Sequence, residues 1–132
     1  DDALHATKAA MQEGVLPGGG VALVRSVSQV EKMLQKESDP SVVSGMNVLK
    51  HAIEEPFKQI IKNGSKSPDA ILHKIKESKH NIGYNSRTNE TGDMFDQGVL
   101  DPHKVVRCAL QNAVSAATML LSVDCCMIDY DN

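Results

Sequence analysis

Apolar residues recur at helical spacing along most of this chain. In residues 1–13, Leu4 and Met11 stand seven apart, as do Ala3 and Ala10, so they share one helix face. Asp2 falls in the first turn, where a carboxylate favours the helix dipole, and Gly14 is a natural stop. Residues 20–35 repeat the pattern with Val24, Val27, Val30 and Leu34, leaving Arg25, Ser28, Gln29 and Lys32 on the wet side. Asp39-Pro40 reads as an N-cap followed by a proline at the first helical position, ahead of a stripe of Val42, Met46, Leu49 and Ile53. Pro56 ends that helix and opens a short one bearing Phe57, Ile60 and Ile61, which Asn63-Gly64 closes. Ser67-Pro68-Asp69 is another start, followed by Ile71, Leu72 and Ile75. Lys74, Lys76, Glu77 and Lys79 are expected on its solvated face.

Residues 81–101 change character. Ile82-Gly83-Tyr84-Asn85 reads as a short strand, residues 86–91 as a polar loop and Gly92-Asp93-Met94-Phe95 as one helical turn. Gly98-Val99-Leu100 then reads as a second strand pairing with the first. Asp101-Pro102 repeats the cap-and-proline signal and opens the longest helix, residues 103–122. Val106, Ala109, Leu110, Ala113, Ala117, Leu120 and Leu121 form its apolar stripe, expected to be core. The run from Cys125 to Ile128 reads as an edge strand in need of a partner. The expected fold is mainly α and multihelical, about six helices, with a small β element near residues 82–100 and a C-terminal strand.

Composition narrows the function. Two Phe, two Tyr and no Trp leave the core to aliphatic side chains. A net charge of -3 argues against a nucleic-acid partner. No apolar run reaches the roughly 18 residues of a membrane span, so no membrane partner is expected. The three cysteines, Cys108, Cys125 and Cys126, are odd in number and include a vicinal pair, which fits a reducing compartment better than a disulfide scaffold. The histidines His5, His51, His73, His80 and His103 show no close ligand spacing, and no metal site is expected. The chain opens on Asp1 and runs straight into helical periodicity, with no initiator Met and no signal peptide, as a piece of a larger or processed protein would.

The stretch Gly14-Val15-Leu16-Pro17-Gly18-Gly19-Gly20 holds four of the nine glycines. Glycines permit positive φ and close backbone approach. A helix beginning there would aim free N–H groups at an anion or the polar edge of a nucleotide. The alternative is a tightly packed helix–turn–helix corner. No Gly-Lys-Ser/Thr closes the stretch as in a P-loop, and it is not G-x-G-x-x-G.

Several separated stretches share one likeness. They are Asp1-Asp2-Ala3-Leu4-His5-Ala6-Thr7, then Glu13-Gly14-Val15 with Gly20-Val21-Ala22-Leu23, then Gly83-Tyr84-Asn85. The last is Gly98-Val99-Leu100-Asp101-Pro102 with Lys104-Val105-Val106-Arg107. In order and spacing they resemble the group I chaperonins of the GroEL type. The resemblance implies that residues 1–13 end an intermediate domain and residues 14–132 form the C-terminal half of an equatorial, ATP-binding domain. The other equatorial half and the apical domain would lie outside this chain. It implies ATP as cofactor, with a Mg ion held mainly by the missing half. It also implies ring-forming sister subunits, a co-chaperonin and unfolded proteins as partners, in bacterial cytoplasm or mitochondrial matrix.

By position, the resemblance puts Gly19 at the nucleotide, Asn85, Ser86 and Arg87 beside the adenine, and Val99 against the base. Asp101 would accept hydrogen bonds from the ribose hydroxyls, and Asp2 would act on the attacking water. Ser86-Arg87 departs from the small residues usual after the Asn, and Cys125-Cys126 from the usual ending. The isolated chain is expected to be inactive as an ATPase and to self-associate through uncovered helix faces. The competing reading is a non-catalytic helical interaction module.

Overall fold

The computed structural model describes residues 2–64, 66–125, 127 and 128. The chain divides into two compact units, Val15–Asp101 and the pair of segments Asp1–Gly14 and Pro102–Asn132. Six helices are present among the described residues, as the periodicity suggests.

In the Val15–Asp101 unit, strand β1 (Val15–Pro17) leads through residues 18–20 into helix α2 (Val21–Leu34). Helix α3 (Pro40–Ala52) starts as its sequence signal predicts: the Asp39 carboxylate accepts from the Ser41 N–H at 2.8 Å, with Pro40 in the first turn. Helix α4 (Glu55–Asn63) and helix α5 (Pro68–Glu77) also begin at their prolines, although Ser67 makes no side-chain cap bond. Strands β2 (Ile82–Asn85), β3 (Glu90–Asp93) and β4 (Leu100–Pro102) follow.

One core holds this unit. Val21 and Val24 of α2, Phe57 and Ile61 of α4, Leu72 and Ile75 of α5, Tyr84 of β2 and Met94 are all buried together. The helical members lie three or four apart, the spacing that stacks side chains on one face. Fully burying such a side chain contributes about 1.5–3 kcal/mol. Gly83 is part of the fit: a Cβ there would lie 2.5 Å from Val21 Cγ2 and 2.7 Å from Met94 Cγ.

Arg25, expected on a wet face, is tied inward, and Lys76, exposed as expected, still reaches a buried partner. Arg25 is half-buried, and its guanidinium donates to the carbonyls of Lys76, Lys79, His80 and Ile82. It thereby caps the last turn of α5 at Lys76 and ties it to the carbonyls of the following loop and the start of β2. The Lys76 ammonium pairs with the buried Glu54 carboxylate, which Lys58 also approaches at 3.6 Å. An unpaired carboxylate at that depth would be strongly destabilising.

The strand pairing differs from expectation. β2 pairs antiparallel with β3, Gly83 opposite Gly92 and Tyr84 opposite Thr91, so residues 92–93 are strand rather than helical turn. The hairpin closes because Asn89 takes the left-handed conformation (φ 60°) and accepts the Tyr84 hydroxyl at 2.9 Å. β4 instead pairs with β1, from the start of the unit.

The second unit is a helix pair. Helix α1 (Asp2–Glu13) ends at Gly14 (φ 81°), whose N–H donates to Ala10 O at 2.8 Å. Helix α6 (His103–Leu121) starts where the His103 N–H donates to Gly14 O at 3.0 Å. Asp101 is not its N-cap: Pro102, the last residue of β4, holds that position without a side-chain cap bond, one residue later than the cap-and-proline signal puts it. Polar groups join the helices. Arg107 grips Glu13 through Nη2–Oε1 at 2.6 Å and Nε–Oε2 at 3.1 Å; His103 Nδ1 lies 3.0 Å from Oε2, and Lys104 donates to Gln12 at 2.6 Å.

The apolar stripe of α6 is not core in this chain. Val106 and Leu110 are half-buried, whereas Ala113, Ala117 and Leu120 are exposed and Leu121 is 88% exposed. Nor does the expected C-terminal strand form: Cys125, Met127 and Ile128 carry no strand, and Cys126 lies outside the described residues. A short apolar run has no reason to extend as a strand without a neighbouring edge.

Candidate functional site

The three consecutive glycines do different jobs. A Cβ at Gly18 would sit 3.0 Å from the carbonyl carbon and oxygen of Val99, and the Gly18 N–H donates to Val99 O at 2.9 Å. A Cβ at Gly20 would lie 2.9 Å from the backbone N and Cα of Phe57. Both are packing glycines, as the corner reading expects. Gly19 differs: at φ 70° it needs to be glycine, yet the nearest atom to a Cβ there is Tyr84 O at 3.6 Å, ordinary contact. The glycine with room beside it is the one singled out by resemblance. Beyond it, α2 starts at Gly20 (φ 79°) with no side-chain cap on its first-turn N–H groups.

The same turn touches Val99 and the chain neighbours of Asn85 and Asp101. Gly19 meets the carbonyl of Tyr84, next to Asn85, while Gly18 meets Val99 and the N–H of Leu100, next to Asp101. Val99 is half-buried against the core, its N–H bonded to Met94 O at 2.8 Å. Asn85 spends its side chain inside the hairpin turn, where Oδ1 accepts the Arg87 N–H at 3.0 Å. Ser86 Oγ donates to Ile60 O at 3.5 Å, and the Arg87 residue is exposed. The Asn85 side-chain oxygen therefore shapes the turn, while the Ser86 hydroxyl reaches a carbonyl of α4. Burial pushes the half-buried Asp101 carboxyl above its ordinary value, and among the described residues no side-chain hydrogen bond offsets the lost hydration.

Asp2 belongs to the other unit. It is exposed in the first turn of α1, in the helix-pair unit. In that unit the Arg107 guanidinium, hydrogen-bonded to Glu13, and then His103 hold the Glu13 carboxyl down at about 2.

A shallow concavity of about 150 Å³ on the Val15–Asp101 unit is lined by Val24, Arg25, Val27, Ser28, Glu31 and Lys76. None is a predicted site residue. Its charged groups are already occupied: Arg25 by carbonyls, Lys76 by Glu54, and Glu31 by Lys50 at 2.6 Å. Among the described residues, no three His, Cys, Asp or Glu side chains gather as a metal would require, and no helix is long and apolar enough to cross a membrane. Neither Tyr84 nor Asn89 was given a role at the site from sequence, although Tyr84 lies in a stretch that carries the resemblance. Tyr84 supplies the carbonyl beside Gly19, and Asn89 holds the turn. For Asn89 the only prior signal was an Asn in a polar loop, a residue type that tolerates positive φ.

Residues 1–130 match the TCP-1/cpn60 chaperonin family, and the chain belongs to it. The open-state monomer of a group II chaperonin from Methanococcoides burtonii is similar over 92% of this chain and 31% of its own, at 23% identity and a TM-score of 0.83. A group III chaperonin in the open state is similar over 90% of this chain and 25% of its own, at 27% identity and a TM-score of 0.82. The chain thus spans under a third of either protein. Its mostly helical fold is that of the chaperonin equatorial domain.

Proposed function

We propose that this chain is part of an ATP-dependent chaperonin of the group I type, that residues 14–132 are the C-terminal half of its equatorial domain, and that residues 1–13 end its intermediate domain. The chain contributes the base and ribose side of the nucleotide pocket. Gly19 gives the nucleotide room, the Asn85–Ser86–Arg87 turn and Val99 border the base, and Asp101 accepts from the ribose hydroxyls. Asp2 orients or polarises the attacking water. The phosphate-binding loop and Mg²⁺ ligands that phosphoryl transfer also needs belong to residues beyond this chain, so the chain alone does not turn over ATP. Sister subunits in a ring, a co-chaperonin and unfolded proteins are its partners, in bacterial cytoplasm or mitochondrial matrix.

One observation carries this reading. The glycine turn meets Tyr84 on one side and Val99–Leu100 on the other, so Gly19, Asn85, Val99 and Asp101 flank a single backbone turn. The condition of Asp101 supports it further. A half-buried carboxyl that burial alone perturbs recovers its lost hydration by accepting two hydroxyl hydrogen bonds.

The test is Asp101→Ala in the full chaperonin subunit, with ATP affinity read by calorimetry. Hydrogen bonds to a charged group contribute about 1.5–3 kcal/mol, so affinity falls by about one to two decades. Unchanged affinity in a folded variant removes the ribose role. The competing reading, a non-catalytic helical interaction module, draws on the exposed apolar residues of α6. A subunit that binds no nucleotide would favour it.

A further inference from the structure

We draw no further inference here: the strongest candidate, the uncharged apolar face of α6 bearing Ala113, Ala117, Leu120 and Leu121, is a surface for which nothing in the structure shows what covers it.

Discussion

Helices α4 and α6 carry apolar residues at the same spacing and come to opposite ends. In α4, Phe57 and Ile61 are at most 1% exposed, inside a core of eight side chains drawn from three helices, strand β2 and Met94 just after the hairpin. In α6, no residue is buried. The α1–α6 unit is joined instead by a polar clamp at one end, Glu13 with Arg107 and His103, and Gln12 with Lys104. The lesson is about sources of stability. A helical stripe specifies a face that wants cover; it does not specify who provides it. The Val15–Asp101 unit finds cover within itself, whereas the helix pair relies on surface ion pairs, which are individually weak.

The contrast extends to chemistry under the proposed function, with binding residues on the cored unit and the water-activating Asp2 on the other. Asp2→Ala in the full subunit therefore separates the two. Hydrolysis slows by roughly 10²–10⁴-fold, the usual range for lost acid–base assistance. ATP affinity stays unchanged, because the residue acts on the transition state rather than on bound substrate. Normal turnover would reduce Asp2 to a first-turn helix charge.

Next in size is a pair of truncations. Phe57→Ala costs about 3–5 kcal/mol, the usual loss for a buried aromatic. Leu121→Ala in the dilute chain stays within about 0.5 kcal/mol, as an exposed position should. Urea unfolding, with midpoint and slope compared, reads both. Self-association through the α6 face would reveal itself if the Leu121→Ala cost grew with protein concentration. A large cost at every dilution would mean that the face is covered within one chain.

Much of this fold was legible because prolines and caps punctuate it. Asp39-Pro40, Pro56 and Ser67-Pro68 each mark a helix start that the structure keeps. The strands were harder. Glu90-Thr91-Gly92-Asp93 has no apolar alternation, and the β1–β4 pairing joins residues about 85 apart, a closure whose entropic cost local pattern does not encode. Arg25 looked solvent-facing because its partners are carbonyls, invisible in side-chain patterning. Of the candidate site, the glycine cluster was legible and the assignment of its members was not. Gly18 and Gly20 are explained by Val99 and Phe57, leaving Gly19 open, which only the packing reveals.

Glycine substitutions probe the cored unit at finer grain. Gly20→Ala must hold an alanine at φ 79° with its Cβ against the Phe57 backbone. About 1–2 kcal/mol for the left-handed conformation adds to about 1–3 kcal/mol for overpacking. Gly45 lies within α3 with nothing within 4 Å of a Cβ. Gly45→Ala therefore stabilises by about 0.5–1 kcal/mol, since alanine loses less backbone freedom in a helix. Thermal melts of both variants check the signs. A neutral Gly20→Ala would mean that the turn relaxes away from Phe57.

The smallest expected effect tests the clamp that the helix pair uses in place of a core. Glu13 titrates at about 2 in the folded chain against an ordinary 4.5, chiefly through hydrogen bonds from Arg107. A carboxyl depressed on folding adds stability that is fully present above its unfolded value and is lost as pH falls through its folded value. The α1–α6 contact should thus hold at pH 5 and loosen progressively as pH drops from about 4.5 towards 2. Other shifted carboxyls contribute as well: Glu31, held down by Lys50, acts in the same direction, and Asp101, raised by burial, acts in the opposite one. The informative quantity is therefore the difference between wild type and Glu13→Gln, which removes the clamp's charge and one of its two acceptor oxygens. The Arg107 Nε–H resonance reports it directly. In wild type it keeps its bonded position well below pH 4.5 and moves near pH 2, whereas in Glu13→Gln it is shifted at every pH. Added salt should shrink the difference, because the pair is exposed and screened. Identical titrations of the two proteins would mean that α1 and α6 are joined by something other than Glu13.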